Sequence, residues 1–222
     1  MESFSEKPAH ATGSNRVAWL VGMLINPLTL APVLMGLIGV HAGLTGEEVT
    51  LLVLVATGGY LVLPVLMLLY MKKRGRIQSL EARDPSERRG PLYMGVVILL
   101  VAGAACVMVV GSEKRLFCIA SGVLILHLLL AIWITPRIKL SLHTASAAGL
   151  LSMIVALEWF AGHLMPLGGA LYLILALIIP LVMWARLADG AHTRAEVVAG
   201  LLFGLFLPPG LLWLLDMAWL LV

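Results

Sequence analysis

Seven runs of apolar residues, each close to the ~20 that a helix needs to cross the hydrocarbon of a bilayer, divide this chain and leave little room for any other architecture. They fall at roughly Val17 to Ala42, Glu48 to Met71, Leu92 to Val110, Leu116 to Ile134, Thr144 to Gly162, Leu167 to Ala185 and Ala195 to Leu221. Backbone amides and carbonyls cannot face lipid unpaired, so each run is expected to be a helix. The expected fold class is all-α: a polytopic transmembrane helical bundle of six to seven spans. Composition agrees, with 61% hydrophobic and 12% charged residues and a mean hydropathy of +1.02 over 222 residues.

The polar stretch 1–16 carries Glu2 and Glu6, and the apolar run behind it is too long for the core of a cleaved signal peptide. It reads as a disordered tail before a retained first helix, which leaves 17–222 as a single transmembrane domain. Pro27, Pro64, Pro180 and the pair Pro208-Pro209 are expected to kink their helices or to mark carbonyls satisfied from a neighbour. Asn26 is expected to satisfy backbone freed at the Pro27 kink, and Pro208-Pro209-Gly210 is a place where the last span can divide. Gly200 and Gly204 form a small-xxx-small pair suited to close helix approach.

Counting spans puts the N-terminal tail and the loops 72–91, 136–143 and 186–194 on one side of the membrane. The first of these loops holds Lys72, Lys73, Arg74, Arg76, Arg83, Arg88 and Arg89, which by the positive-inside rule makes that side cytoplasmic. The expected location is thus a prokaryotic inner (cytoplasmic) membrane, with the polar loops on its cytoplasmic face. A net charge of only +3, concentrated in one loop, argues for anionic lipid or phosphate as partner and against nucleic acid. Cys106 and Cys118 lie in or beside apolar segments and supply neither a disulfide framework nor a metal site.

The chemistry-bearing residues gather in those loops. Arg186 precedes His192, and if a helix starts near 193 then His192 and Glu196 stand one turn apart on one face, where a carboxylate can orient an imidazole. The stretch Arg137-Ile-Lys139-Leu-Ser141-Leu-His143-Thr144 leads into the fifth span, so its amides and the Ser141 hydroxyl lie at the positive end of a helix dipole. Arg83, Arg88 and Arg89 precede the third span and can grip phosphate oxygens with forked hydrogen bonds. Two imidazoles, several arginines and helix N-termini on one face are the parts that phosphoryl transfer uses.

Plainer readings stand beside these. Arg186 can be an interfacial anchor, Lys72 to Arg76 a topology signal, Lys139 and Arg194 positive-inside residues, and Asp189 a solvated acid. His10, His41 and His163 read as structural or solvated. Within the spans, His127 suits a buried hydrogen bond or a lipid-access cleft. Glu158, ~21 Å along its helix, is expected with Asp216 at the far headgroup layer. Trp133, Trp159, Trp184 and Trp219 sit near span ends, as interfacial belts do.

The three loops together resemble the motifs of the type 2 phosphatidic acid phosphatases, a superfamily that includes vanadium haloperoxidases. The third motif, SRxxxxxHxxxD, is similar to Ala185-Arg186, five residues, His192, three residues and Glu196. The second, PSGH, is similar to Leu140-Ser141-Leu142-His143, and the first, KxxxxxxRP, to Arg89-Gly90-Pro91 with Ala82 where the family has lysine and Arg83 next to it. The resemblance spans Arg83 to Glu196, about half the chain. It implies a bundle with a haloperoxidase-like core and a lipid phosphate phosphatase that uses no metal or cofactor. His192 would be the nucleophile, Glu196 its orienting carboxylate and His143 the proton donor. Arg186, Ser141 and Arg89 would hold the phosphate, with Arg88, Arg83 and Lys139 as further phosphate contacts. The implied partners are a lipid phosphate or pyrophosphate, such as phosphatidic acid, phosphatidylglycerol phosphate or a polyprenyl phosphate, and the surrounding membrane lipids. A homo-oligomer is left open. The alternative is a member that has lost catalysis and serves as a lipid-binding or scaffold protein, with a transporter as a third reading.

Overall fold

The computed structural model describes residues 16–78, 89–111, 115–135, 138–161 and 168–217. Residues 1–15 of the expected tail lie outside it, and Arg16 already opens the first helix. Among the described residues the architecture is all-α, without a strand. The helices are α1 (Arg16–Leu24), α2 (Pro27–His41), α3 (Gly46–Ala56), α4 (Leu63–Lys73), α5 (Arg89–Val110), α6 (Arg115–Ile134), α7 (Leu142–Ala161), α8 (Gly168–Ala188) and α9 (Arg194–Met217). A π-helical segment, Thr57–Val62, joins α3 to α4, so that Gly46–Lys73 is one span. In that segment the Leu63 N–H bonds the Gly58 carbonyl, five residues back, immediately before Pro64. The wider turn accommodates a ring that would otherwise crowd the preceding carbonyls.

Among the described residues, six helices are long and apolar enough to cross a membrane. The first expected span is not one continuous helix: α1 and α2 meet at a 40° bend. Asn26 makes the bend. Its Oδ1 accepts from the N–H groups of Leu28 and Thr29, its Nδ2 donates to the Met23 carbonyl, and Pro27 opens α2 without needing a donor of its own.

Helix α7 is the axis of the bundle. Within its 18-residue apolar window 67% is buried, against 28 to 39% in the other spans, and it packs on α2, α6, α8 and α9. It is also a ruler for the bent pair. The first turn of α7 meets Gly22 of α1 through His143, whereas the Leu157 carbonyl near its other end bonds His41 Nε2 at the end of α2. Fourteen residues separate these contacts along α7, ~21 Å at 1.5 Å per residue, so α1 and α2 together run most of the way across the bundle.

The tightest packing is between α7 and α9, which run in the same direction. A Cβ on Gly200 would stand 2.5 Å from the Ser141 carbonyl oxygen, and one on Gly204 would overlap the Ala145 carbonyl. The small-xxx-small pair thus lets two backbones touch. Helix α9 continues through Pro208 and Pro209 and is not divided there. Pro208 has no N–H for the Gly204 carbonyl, and Ser152 Oγ of α7 donates to that carbonyl instead, at 2.7 Å.

Glu158 and the expected belt residues differ in exposure. Glu158, expected at the far headgroup layer, is buried and follows Leu157, whose carbonyl bonds His41 at the end of α2. Trp133, Trp159 and Trp184 are exposed as belt residues would be, while Trp219 and the side chain of Asp216 lie outside the described residues.

Candidate functional site

Helices α7, α8 and α9 bring their polar ends to one place. Arg186 is in the last turn of α8 and 5% exposed. The chain turns back at Gly190, whose φ of 65° lies in the left-handed region that glycine adopts freely. The turn is closed by the Asp189 N–H on the Ala185 carbonyl, the Gly190 N–H on the Leu187 carbonyl and the His192 N–H on the Arg186 carbonyl. His192 is thereby fixed beside Arg186 before α9 begins.

Thr193 caps α9. The Glu196 N–H donates to Thr193 Oγ1, and the Thr193 N–H donates to Glu196 Oε2, both at 3.3 Å. This reciprocal pair is a capping box, whose third helical position favours glutamate or glutamine. The same Oε2 lies 2.9 Å from His192 Nδ1. One carboxylate therefore both caps the helix and orients the imidazole, leaving Nε2 as the ring nitrogen that faces neither Glu196 nor the cap. The longer side chain at 196 has a local reason in this double task.

Ser141 and His143 come from the start of α7. The Ser141 N–H donates to the Glu196 carbonyl at 3.1 Å, which ties the second loop to the third through backbone alone. Ser141 is fully buried, and its Oγ accepts from both the N–H and the Oγ1 of Thr144. Its oxygen thus serves as the helix cap. His143 is partly covered, lies within charge-interaction range of Arg186 and His192, and has its ring within reach of the Gly22 backbone.

Of the expected site residues, the structure brings together His143, Arg186, His192, Glu196 and Ser141. Lys139 is exposed just ahead of buried Leu140 and Ser141. Arg83 and Arg88 lie outside the described residues, as does the side chain of Arg89, the first residue of α5.

Asp189 was expected to be solvated, and it is not. Its side chain is 2% exposed and its Oδ2 lies 3.9 Å from Nη1 of Arg186, whose side chain is 6% exposed. Arg186 is buried and the acid is one turn away on the same helix face, so pairing limits the cost of removing both charges from water. The spacing Arg186 to Asp189 was the available signal. Gly22 was also missed: a Cβ there would stand 2.9 Å from Arg186 Nη1, so α1 lies directly against the guanidinium.

His127 is a different kind of histidine. It is 2% exposed, its ring lies 5.0 Å from that of Phe203, and neither ring nitrogen has a hydrogen-bond partner among the described residues. It lines a crevice of about 20 Å³ with Pro27, Ser146, Gly149 and Pro208, one to two turns deeper than His143. The expectation of a buried hydrogen bond is not met.

Comparison of the chain with models of known families, with curated proteins and with solved structures gives no match.

Proposed function

We propose that the protein is a membrane-embedded phosphatase acting on a lipid phosphate or pyrophosphate, related in chemistry to the type 2 phosphatidic acid phosphatases. What carries the reading is one arrangement: the His192 Nδ1 to Glu196 Oε2 contact at 2.9 Å, beside buried Arg186 and within charge range of His143. Glu196 holds His192 through Nδ1–H, so the lone pair of Nε2 attacks phosphorus and displaces the lipid oxygen, which takes its proton from His143. Water then attacks the phosphohistidine, gives its proton to His143 and releases phosphate, restoring His192. Arg186 offers planar, always-charged donors to the transferring oxygens. The lipid chain remains among the apolar helices while its phosphate meets the polar ends of α7, α8 and α9.

Phosphate release from short-chain lipid phosphates, by wild type and by His192→Ala, tests this. The expected loss is about a thousandfold or more. Full activity in the variant removes the nucleophile assignment, and inactivity of both proteins on every lipid phosphate favours a lipid-binding scaffold. We place the site at the cytoplasmic face of a prokaryotic inner membrane, on the strength of the basic loop after α4. A single cysteine near Ser86 should then be labelled only from the cytoplasmic side, and labelling only from outside reverses the orientation.

A further inference from the structure

The geometry points to α1 as a working wall of the polar site, with Gly22 as a positioning residue for both Arg186 and His143. Glycine inside a helix weakens it relative to alanine, and α1 has only nine residues in which to absorb that loss. One contact accounts for glycine there, and a second brings His143 to the same backbone. A Cβ on Gly22 would meet Arg186 at Nη1, Cδ and Cζ, at 2.9, 3.8 and 3.9 Å, so the guanidinium and its stem lie along bare helix backbone. The ring of His143 lies within reach of the Gly22 backbone. Ala18, one turn earlier, is also fully buried, which makes Ala18 and Gly22 the small-residue face that α1 presents to α8.

The bend between α1 and α2 explains how a helical residue can lend its backbone to a side chain. In an uninterrupted helix the Asn26 N–H would close on the Gly22 carbonyl. Here it donates to Thr29 Oγ1 instead. The other last carbonyls of α1 are each taken: Val21 by the Ile25 N–H, Met23 by Asn26 Nδ2 and Leu24 by Thr29 Oγ1. The Gly22 carbonyl is thus the group released for His143, and a ring N–H donated to it fixes the imidazole's rotation and decides which nitrogen faces the site. Asn26, Pro27 and Thr29 break the span at the one point that sets this carbonyl over the start of α7.

The inference rests on the phosphatase reading, and its experiment separates the two. Orthovanadate binding, kcat and KM on a short-chain lipid phosphate, and the pH dependence of kcat are measured for wild type, Gly22→Ala, Gly22→Val and Leu20→Ala. Leu20 is half exposed on α1 and serves as the control. Gly22→Val should weaken vanadate binding and raise KM about tenfold or more by displacing Arg186. It should also move the pH limb that belongs to His143, at an unfolding temperature like that of Leu20→Ala. Gly22→Ala should shift binding and KM the same way by about threefold, since the end of a long side chain can give; it carries the test if the valine variant does not fold. Vanadate bound by both Gly22 variants as by wild type, or Leu20→Ala matching them, overturns the inference and leaves the phosphatase reading standing. A wild type that binds no vanadate and releases no phosphate overturns both.

Discussion

Two polar layers cross the bundle, and they are satisfied in opposite ways. The upper one, at the ends of α7, α8 and α9, places Arg186 against Asp189 and His192 against Glu196, side chain on side chain, and His143 against the Gly22 backbone. The deeper one lies about 9 Å further along α7, six residues from His143 to Gly149. There Ser152 serves the carbonyl that Pro208 leaves free, while His127 faces Gly149 and Phe203 with no partner among the described residues. A polar residue inside a membrane protein is therefore not by itself a sign of chemistry. The upper layer has mutual pairing and several helix ends, whereas the lower has backbone repair and an unmatched ring.

Glu196→Gln should separate the two roles of that residue and produces the largest effect here. Glutamine keeps the capping box, so unfolding stability should stay within about 0.5 kcal/mol, while loss of the charge behind His192 should lower kcat about ten- to a hundredfold. Equal kcat for both proteins would make the upper layer as purely structural as the lower. Ser152→Ala comes next: leaving the Gly204 carbonyl unserved should cost about 1 kcal/mol in reversible unfolding, with kcat unchanged. A loss of activity without a loss of stability would tie the deeper layer to function. The smallest effect belongs to His127→Leu. Replacing an unpaired buried ring with an apolar one of similar size should leave stability within about 0.5 kcal/mol or raise it. A loss of several kcal/mol would show that His127 has a partner in the membrane after all.

The sequence carried the spans and much of the upper layer, for physical reasons that differ. Spans are legible because lipid demands long apolar runs, and the small pair Gly200 and Gly204 is legible because close backbones demand small residues. His192 and Glu196 were readable from their one-turn spacing, which survives folding unchanged. Gly22 was not read, although Ala18 and Gly22 repeat the small-xxx-small spacing, because its meaning lies in Arg186, 164 positions away. Asp189 misled for the opposite reason. A loop position suggests solvent, but α8 runs on to Ala188, and the buried guanidinium one turn back draws the acid inward. The burial of Glu158 was not readable either, since depth along a helix says nothing of which face its neighbours cover.

The contact between Gly22 and Arg186 also sets an order of events during synthesis. Helix α1 leaves the ribosome well before α8, on which it rests, so its small face stays uncovered until α8 has been made. The polar layer cannot close until α8 has arrived, nor be capped until Thr193 and Glu196 have followed. A chain that stops after α8 would keep most of the membrane-crossing helices and lack the pair of His192 and Glu196.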